Sequence, residues 1–262
     1  MHAAPASSLL AGYYVISLRP VGAHVALRRA AAQLGARTFA LSPWRIVQRD
    51  GPAVRAALRA ALGADVAIFT SPPAVAAAAA LQRLERRDGQ DWLAVGAGTA
   101  AALAAQGIAR VRAPTRMDSE GLLALLPASR LAGRSVGLVT APGGRGVIAA
   151  TLEAAGAGLR RADVYARVPV RPSTRRLAVL QALPAPWLLP VSSGEALTSM
   201  LACLPGPVLA RLHRAQVLAA SARLGSLARD LGFDDVRVAC DARPASLLAA
   251  ARPARHDALP VS

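Results

Sequence analysis

The stretch "WLAVGAGTAAALAAQG", Trp92 to Gly107, reads as a short apolar strand, a glycine turn and an alanine-rich helix. The same unit recurs along the chain. "YYVISL" (13–18) precedes an amphipathic helix starting near Gly22. "DVAIFT" (65–70) precedes a helix opened by Ser71-Pro72-Pro73, where proline suits the first helical turn. "RSVGLV" (134–139), "WLLPV" (187–191) and "QVLAA" (216–220) are each followed by a small-residue turn and an Ala/Leu-rich helix. Strands that alternate with helices pair in parallel and are covered on both faces, so the fold class is α/β.

The chain also repeats itself. "FTSPPAV" (69–75) aligns with "VSSGEAL" (191–197), and "GAGTAAALAAQGI" (96–108) with "SARLGSLARDLGF" (221–233) at an offset of 125. Gly107 then falls on Gly232, which points to two similar α/β lobes. Two extended segments break the alternation, "FALSPWRIV" (39–47) and "DVYARVPV" (163–170). They predict a two-stranded linker at the entry and exit of an inserted lobe, with a cleft beside it. The expected division is residues 12–40 plus 168–252 for the first lobe and 46–163 for the inserted one, with 1–11 and 253–262 as flexible tails.

Composition narrows the chemistry. All 31 basic residues are Arg, there is no Lys, and the formal net charge is +16. Lysine Schiff bases and a P-loop lysine are therefore excluded. The arginine excess points to an anionic partner, and the bidentate guanidinium suits carboxylates as well as phosphates. Cys203 and Cys240 lie far apart, and the four histidines (His2, His24, His213, His256) are scattered, so no metal site is expected. No apolar run reaches the ~20 residues that span a bilayer. The chain reads as soluble, cytoplasmic and, lacking a strong apolar interface stripe, monomeric.

"GAGTAA" has the form of a dinucleotide fingerprint, but it sits mid-chain, and Asp118 and Glu120 stand at a helix start instead of a strand end. A nicotinamide-dependent oxidoreductase using this turn is one alternative. A basic nucleic-acid- or ligand-binding regulator is another, against which the aromatics are few. The turn itself remains a good anion receptor, because Gly96, Gly98 and Thr99 bring backbone N–H groups to a helix start. Ser71, Ser119, Ser192, Ser193 and Ser221 stand at comparable turns, each also readable as an N-cap. "TAPGGRGVIAATL" (140–152) is a second glycine loop, with Gly144 and Arg145 as candidate substrate contacts. Arg19 follows the first strand, where ligands of open α/β sheets bind. Tyr165 lies in the second linker. No nucleophile–base pair, H-E-x-x-H or paired carboxylates stand out, which favours a protein that binds and orients an anionic substrate.

The ordered set "VISLRP", "FTSPPAV", "AVGAGTAAAL", "RMDSEGLLALL" (from Arg116), the GGR loop, "DVYARVPV", "VSSGEAL" and "VLAASARLGSLARDLGF" resembles the uroporphyrinogen-III synthase family over nearly the whole chain. The resemblance implies two flavodoxin-like α/β lobes, one inserted in the other and joined by a two-stranded linker. It implies a lyase of tetrapyrrole and heme biosynthesis that cyclises hydroxymethylbilane, received from hydroxymethylbilane synthase, with inversion of the last pyrrole ring and no cofactor. It also implies an important tyrosine at Tyr165, and substrate contacts from Arg19, Arg116, Arg145 and the serine and threonine turns. Two positions depart from the family pattern. Ser221-Ala-Arg-Leu224 replaces a G-x-x-T turn, making Ser221 and Arg223 substitutes, and Thr140 stands where an Arg often precedes the GGR loop.

Overall fold

The computed structural model describes residues 9–114, 119–126, 131–143 and 146–252. The chain divides into two compact units, residues 1–45 with 169–262, and residues 46–168.

The continuous unit is built on β4 (Val66–Phe69), whose four residues are all buried. It lies between β5 (Asp91–Ala94) and β6 (Ser135–Thr140), and β7 (Gly158–Asp163) completes the order β5-β4-β6-β7, every pair parallel. Successive β4 side chains point to opposite faces. Ala67 and Phe69 join one core with Trp92 and the apolar sides of α2 (Pro52–Leu62), α3 (Pro72–Leu81) and α4 (Ala97–Ala105). Val66 and Ile68 join another with Leu122 of α5 (Ser119–Ala124) and Leu152 of α6 (Val147–Ala154). A central strand covered on both faces therefore reads as an uninterrupted apolar run.

In the discontinuous unit the order is β11-β10-β9-β1-β2, again parallel throughout. The strands are β1 (Tyr14–Ser17), β2 (Arg37–Ala40), β9 (Trp187–Val191), β10 (Gln216–Ala219) and β11 (Val236–Val238). Helices α1 (Val25–Gln33), α7 (Thr174–Ala182), α8 (Gly194–Leu201), α9 (Gly206–Leu212), α10 (Ala222–Asp230) and α11 (Pro244–Ala249) belong to this unit. Leu10 is fully buried and its N–H donates to the Leu34 carbonyl at 2.8 Å, so this residue, expected in a flexible tail, packs into the fold.

The chain passes between the units along β3 (Trp44–Gln48) and β8 (Tyr165–Pro169), a separate two-stranded sheet. Hydrogen bonds from Arg49 N–H to the Val164 carbonyl and from Val170 N–H to the Pro43 carbonyl close its two ends in antiparallel register. The expected extended segments are shorter than predicted. Phe39 and Ala40 end β2, Ser42-Pro43 turn the chain, and Asp163 ends β7. A proline in the turn removes an N–H that a continuous strand would need.

Element order exposes a repeat longer than the sequence alignment did. β1-α1-β2-β3-α2-β4-α3-β5-α4 is followed by β6-α6-β7-β8-α7-β9-α8 and then β10-α10, with α9 as an addition. Each copy contributes its first α/β portion to one unit and its second to the other.

Gly137, mid-β6, lies under α2. A Cβ there would stand 1.9 Å from the Ala61 carbonyl oxygen, a backbone atom that moves only with its helix. Gly137→Ala is expected to destabilise by about 1–3 kcal/mol or more, lowering Tm by about 2–4 °C per kcal/mol in scanning calorimetry. Gly158→Ala, whose Cβ would meet nothing closer than 3.8 Å, is the control and should leave Tm nearly unchanged.

Candidate functional site

In each sheet the crossovers leave two neighbouring strands in opposite directions. β4 runs through α3 to β5 on one side, and β6 through α6 to β7 on the other. β9 runs through α8 to β10, and β1 through α1 to β2. At such a switch point the diverging loops leave a crevice at the carboxyl ends of the strands. Each unit has a cavity there.

The cavity of the continuous unit, about 170 Å³, is lined by Thr70, Ser71, Thr140, Arg161, Tyr165 and Arg167, with the Gly143–Gly146 loop beside them. The Tyr165 side chain is buried, 2% exposed, and its hydroxyl lies 3.0 Å from Ser71 Oγ. Ser71 Oγ also accepts from Ala74 N–H at 3.2 Å as the N-cap of α3. The Thr70 hydroxyl donates to Thr140 Oγ1 at 2.9 Å, joining the ends of β4 and β6. Gly143 (φ +84°) and Gly146 (φ +67°) adopt left-handed conformations that side chains resist, which is why this loop needs glycine.

Two guanidiniums in this cavity were not singled out from the sequence. Arg161 pairs with Asp163 (Nε to Oδ1, 3.0 Å) and donates from Nη2 to the Ala141 carbonyl at 3.0 Å, holding the start of the glycine loop. Arg167 lies two residues beyond Tyr165. The signal was present in "RADVYAR", where Arg161, Asp163, Tyr165 and Arg167 recur at the period of two that places side chains on one face of extended chain.

The cavity of the discontinuous unit, about 80 Å³, brings together Arg19, Trp44, Pro190, Ser192 and Ser193. Pro190 opens it. The Pro186 carbonyl faces β1 and the Val191 carbonyl faces β10, so by alternation Pro190 would direct its missing N–H toward β1. The β1–β9 ladder accordingly stops at Val15–Leu188, while β9–β10 continues to Val191. Ser193 caps α8 by accepting from Ala196 N–H at 3.2 Å. Burial pushes the Arg19 pKa down, yet a guanidinium stays charged at neutral pH. It has no ion-pair partner among the described residues. In the repeat, Trp44 stands where Tyr165 stands and Arg19 where Thr140 stands.

The other expected contacts are placed differently. Gly96 caps α4, and Gly98 is exposed. Thr99 is only 4% exposed and its N–H donates to the Gly96 carbonyl at 3.0 Å. Ser221 caps α10 through Leu224 N–H, and Arg223 in the first turn is exposed. None of these five lines either cavity. Ser119 opens α5, but its side chain, with Arg116, Gly144 and Arg145, lies outside the described residues. Among the described residues no group of His, Cys, Asp or Glu could hold a metal, and no helix is long and apolar enough to cross a membrane.

A family model described as uroporphyrinogen-III synthase HemD matches residues 25–249. The chain belongs to the uroporphyrinogen-III synthase family. It is 32% identical over 173 residues to the uroporphyrinogen-III synthase of Salmonella typhimurium, 63% of this chain and 70% of that one. With the Escherichia coli uroporphyrinogen-III synthase it shares 32% over 162 residues, 61% of this chain and 66% of that one. Among solved structures, a mutant uroporphyrinogen III synthase from Thermus thermophilus shares the fold with a TM-score of 0.63 at 19% identity, covering 90% of this chain and 96% of that one. The synthase from Helicobacter pylori gives a TM-score of 0.56 at 13% identity, covering 90% and 96%. These relatives lend no support to an oxidoreductase or a nucleic-acid-binding regulator.

The Ser71–Tyr165 contact is testable by stability. Ser71→Ala should cost about 1 kcal/mol through the lost cap, and Tyr165→Phe about 1 kcal/mol through the lost hydrogen bond. Because the two share that bond, the double variant should be about 0.5–1.5 kcal/mol less destabilised than the sum in urea titrations. Strict additivity would show that the hydroxyls do not interact.

Proposed function

We propose that this protein is a uroporphyrinogen-III synthase, a lyase that closes hydroxymethylbilane to uroporphyrinogen III with inversion of the last pyrrole ring. The observation that carries the reading is the Tyr165–Ser71 hydroxyl pair set among Arg161, Arg167 and the glycine loop at a switch point. The substrate is a polycarboxylate, and the arginines and capped helix starts are receptors for its acid arms. A cavity of about 170 Å³ is smaller than the about 300–1,000 Å³ that encloses a whole ligand, so it takes one ring and its arms.

Water must leave the hydroxymethyl carbon before the ring can close. Ser71 Oγ accepts from Ala74 N–H; in the direction of the 3.0 Å contact that has Ser71 donating to Tyr165, the phenolic proton is free for the departing hydroxyl. The azafulvenium cation so formed is attacked by the substituted carbon of the last pyrrole, giving a spiro intermediate. Fragmentation and reclosure turn that ring over, and a proton is lost from the new ring junction. Holding the bilane in the folded shape lowers the barrier by proximity, and oriented dipoles stabilise the developing charge. Arg19, Ser192 and Ser193 hold a further carboxylate, and the turns at Gly96–Thr99, Arg116–Ser119, Gly144–Arg145 and Ser221–Arg223 offer contacts to others. The protein works as a cytoplasmic monomer that receives its bilane from hydroxymethylbilane synthase.

A coupled assay from porphobilinogen, scored for type III against type I porphyrin after oxidation, tests the activity; type I alone would overturn it. Tyr165→Phe should lower kcat by about 10²-fold with little change in KM. Arg161→Gln and Arg19→Gln should each raise KM by about tenfold, the loss of one charge-assisted contact. Equal kcat for Tyr165→Phe and the parent would remove the proton-donor role.

A further inference from the structure

His24 is the one histidine of this chain held between two side-chain hydroxyls among the described residues. It is 6% exposed, its Nδ1 lies 2.8 Å from Ser17 Oγ, and its Nε2 lies 2.9 Å from Ser42 Oγ. Ser17 is fully buried at the end of β1, Ser42 sits in the β2–β3 turn, and His24 is the residue before α1. The imidazole therefore ties three segments at one point. Between Ser17 and His24 runs the loop that carries Arg19. Its Ala23 N–H donates to the Pro20 carbonyl, and its Val21 N–H donates to the Trp44 carbonyl, both at 3.0 Å. Trp44 and Arg19 line the same cavity.

We propose that His24 is a positioning residue for Arg19: the Ser17–His24–Ser42 bridge fixes the loop that aims this guanidinium at a substrate carboxylate. The inference rests on the reading of Arg19 as a carboxylate receptor. A loop that is pre-ordered loses no conformational entropy when the anion arrives, so the bridge acts on affinity. The bridge suits the neutral ring, in which one nitrogen donates and the other accepts.

The charged groups facing His24 are all cationic: Arg19 in its own loop, Arg28 on α1 and Arg176 on α7. Arg176 is itself anchored, with its guanidinium 4.7 Å from the Phe39 ring centroid and bonded to the Ala40 carbonyl. Burial and these three charges hold the His24 pKa below its ordinary 6.5. The folded state refuses a proton that the unfolded chain accepts near pH 6.5, so the ring is neutral at neutral pH and takes up a proton only as pH falls through its lowered folded-state value.

The test compares parent, His24→Phe, Arg19→Gln and the double variant, all full length, by initial rates of type III product between about pH 5.5 and 8. At pH 8, His24→Phe should raise KM about five- to tenfold with kcat within about twofold, and the double variant should match Arg19→Gln alone. Between pH 8 and 6.5 the parent's KM should stay low and flat, because the ring is neutral throughout, while that of His24→Phe stays high. Multiplicative effects in the double variant, a loss confined to kcat, or a parent KM that already climbs between pH 8 and 6.5 would overturn the positioning role. An unchanged KM in Arg19→Gln would overturn the receptor reading and this inference together. A raised KM in Arg19→Gln with none in His24→Phe would overturn only the latter. Should His24→Phe not fold, Ser42→Ala removes one arm of the bridge and must raise KM in the same manner.

Discussion

Parallel strands cannot be joined by tight turns, so each connection must climb over a face of its sheet and descend one strand away. In both units two adjacent central strands send their crossovers in opposite directions, β4 and β6 in one and β9 and β1 in the other. No loop can then cover the carboxyl ends of that pair. The cavities follow from this constraint, and Tyr165, Ser71, Arg161, Arg19 and Ser193 are gathered about them. Ser71 and Ser193 begin the helices leaving one strand of each pair, while the glycine loop and the Arg19 loop leave the other.

The repeated element order gives the two cavities the same plan, and their side chains set them apart. Where the continuous unit has a tyrosine hydroxyl held by a serine, the discontinuous unit has the indole of Trp44, whose N–H is far too weak an acid to protonate a leaving group. Where one joins Thr70 to Thr140, the other places the Arg19 guanidinium. A phenol can release a proton to a leaving group, and an arginine at neutral pH cannot. The proposed division between a reacting subsite and a holding subsite rests on that difference in acidity. Pro190 adds to it, since its missing N–H ends the ladder where Arg19 needs room.

Much of this was legible in the chain. β4 and β9 announce themselves as unbroken apolar runs because both of their faces are covered, and the serines of "FTSPPAV" and "VSSGEAL" mark caps because their oxygens accept from N–H groups three residues on. The edge strands β2, β7 and β11 gave no such signal. Residues such as Arg37, Arg160 and Arg237 interrupt their hydrophobicity, as is usual where one side of a strand meets solvent. Missing β7 also concealed Arg161, and mistaking Phe39 and Ala40 for linker hid the turn at Ser42 that receives His24.

The sequence by itself determined the α/β class, the caps, the glycine loop and the cationic character, because each depends on residues within a few positions of one another or on simple counts. Only the tertiary structure decided which of the marked turns share a cavity. Ser71 reaches Tyr165 across 94 residues and Thr70 reaches Thr140 across 70, while Thr99, marked just as clearly in the sequence, is buried and lines neither cavity. Local patterns specify that a helix begins at a given residue. Which way its first side chains face is settled by the sheet and helices packed against it.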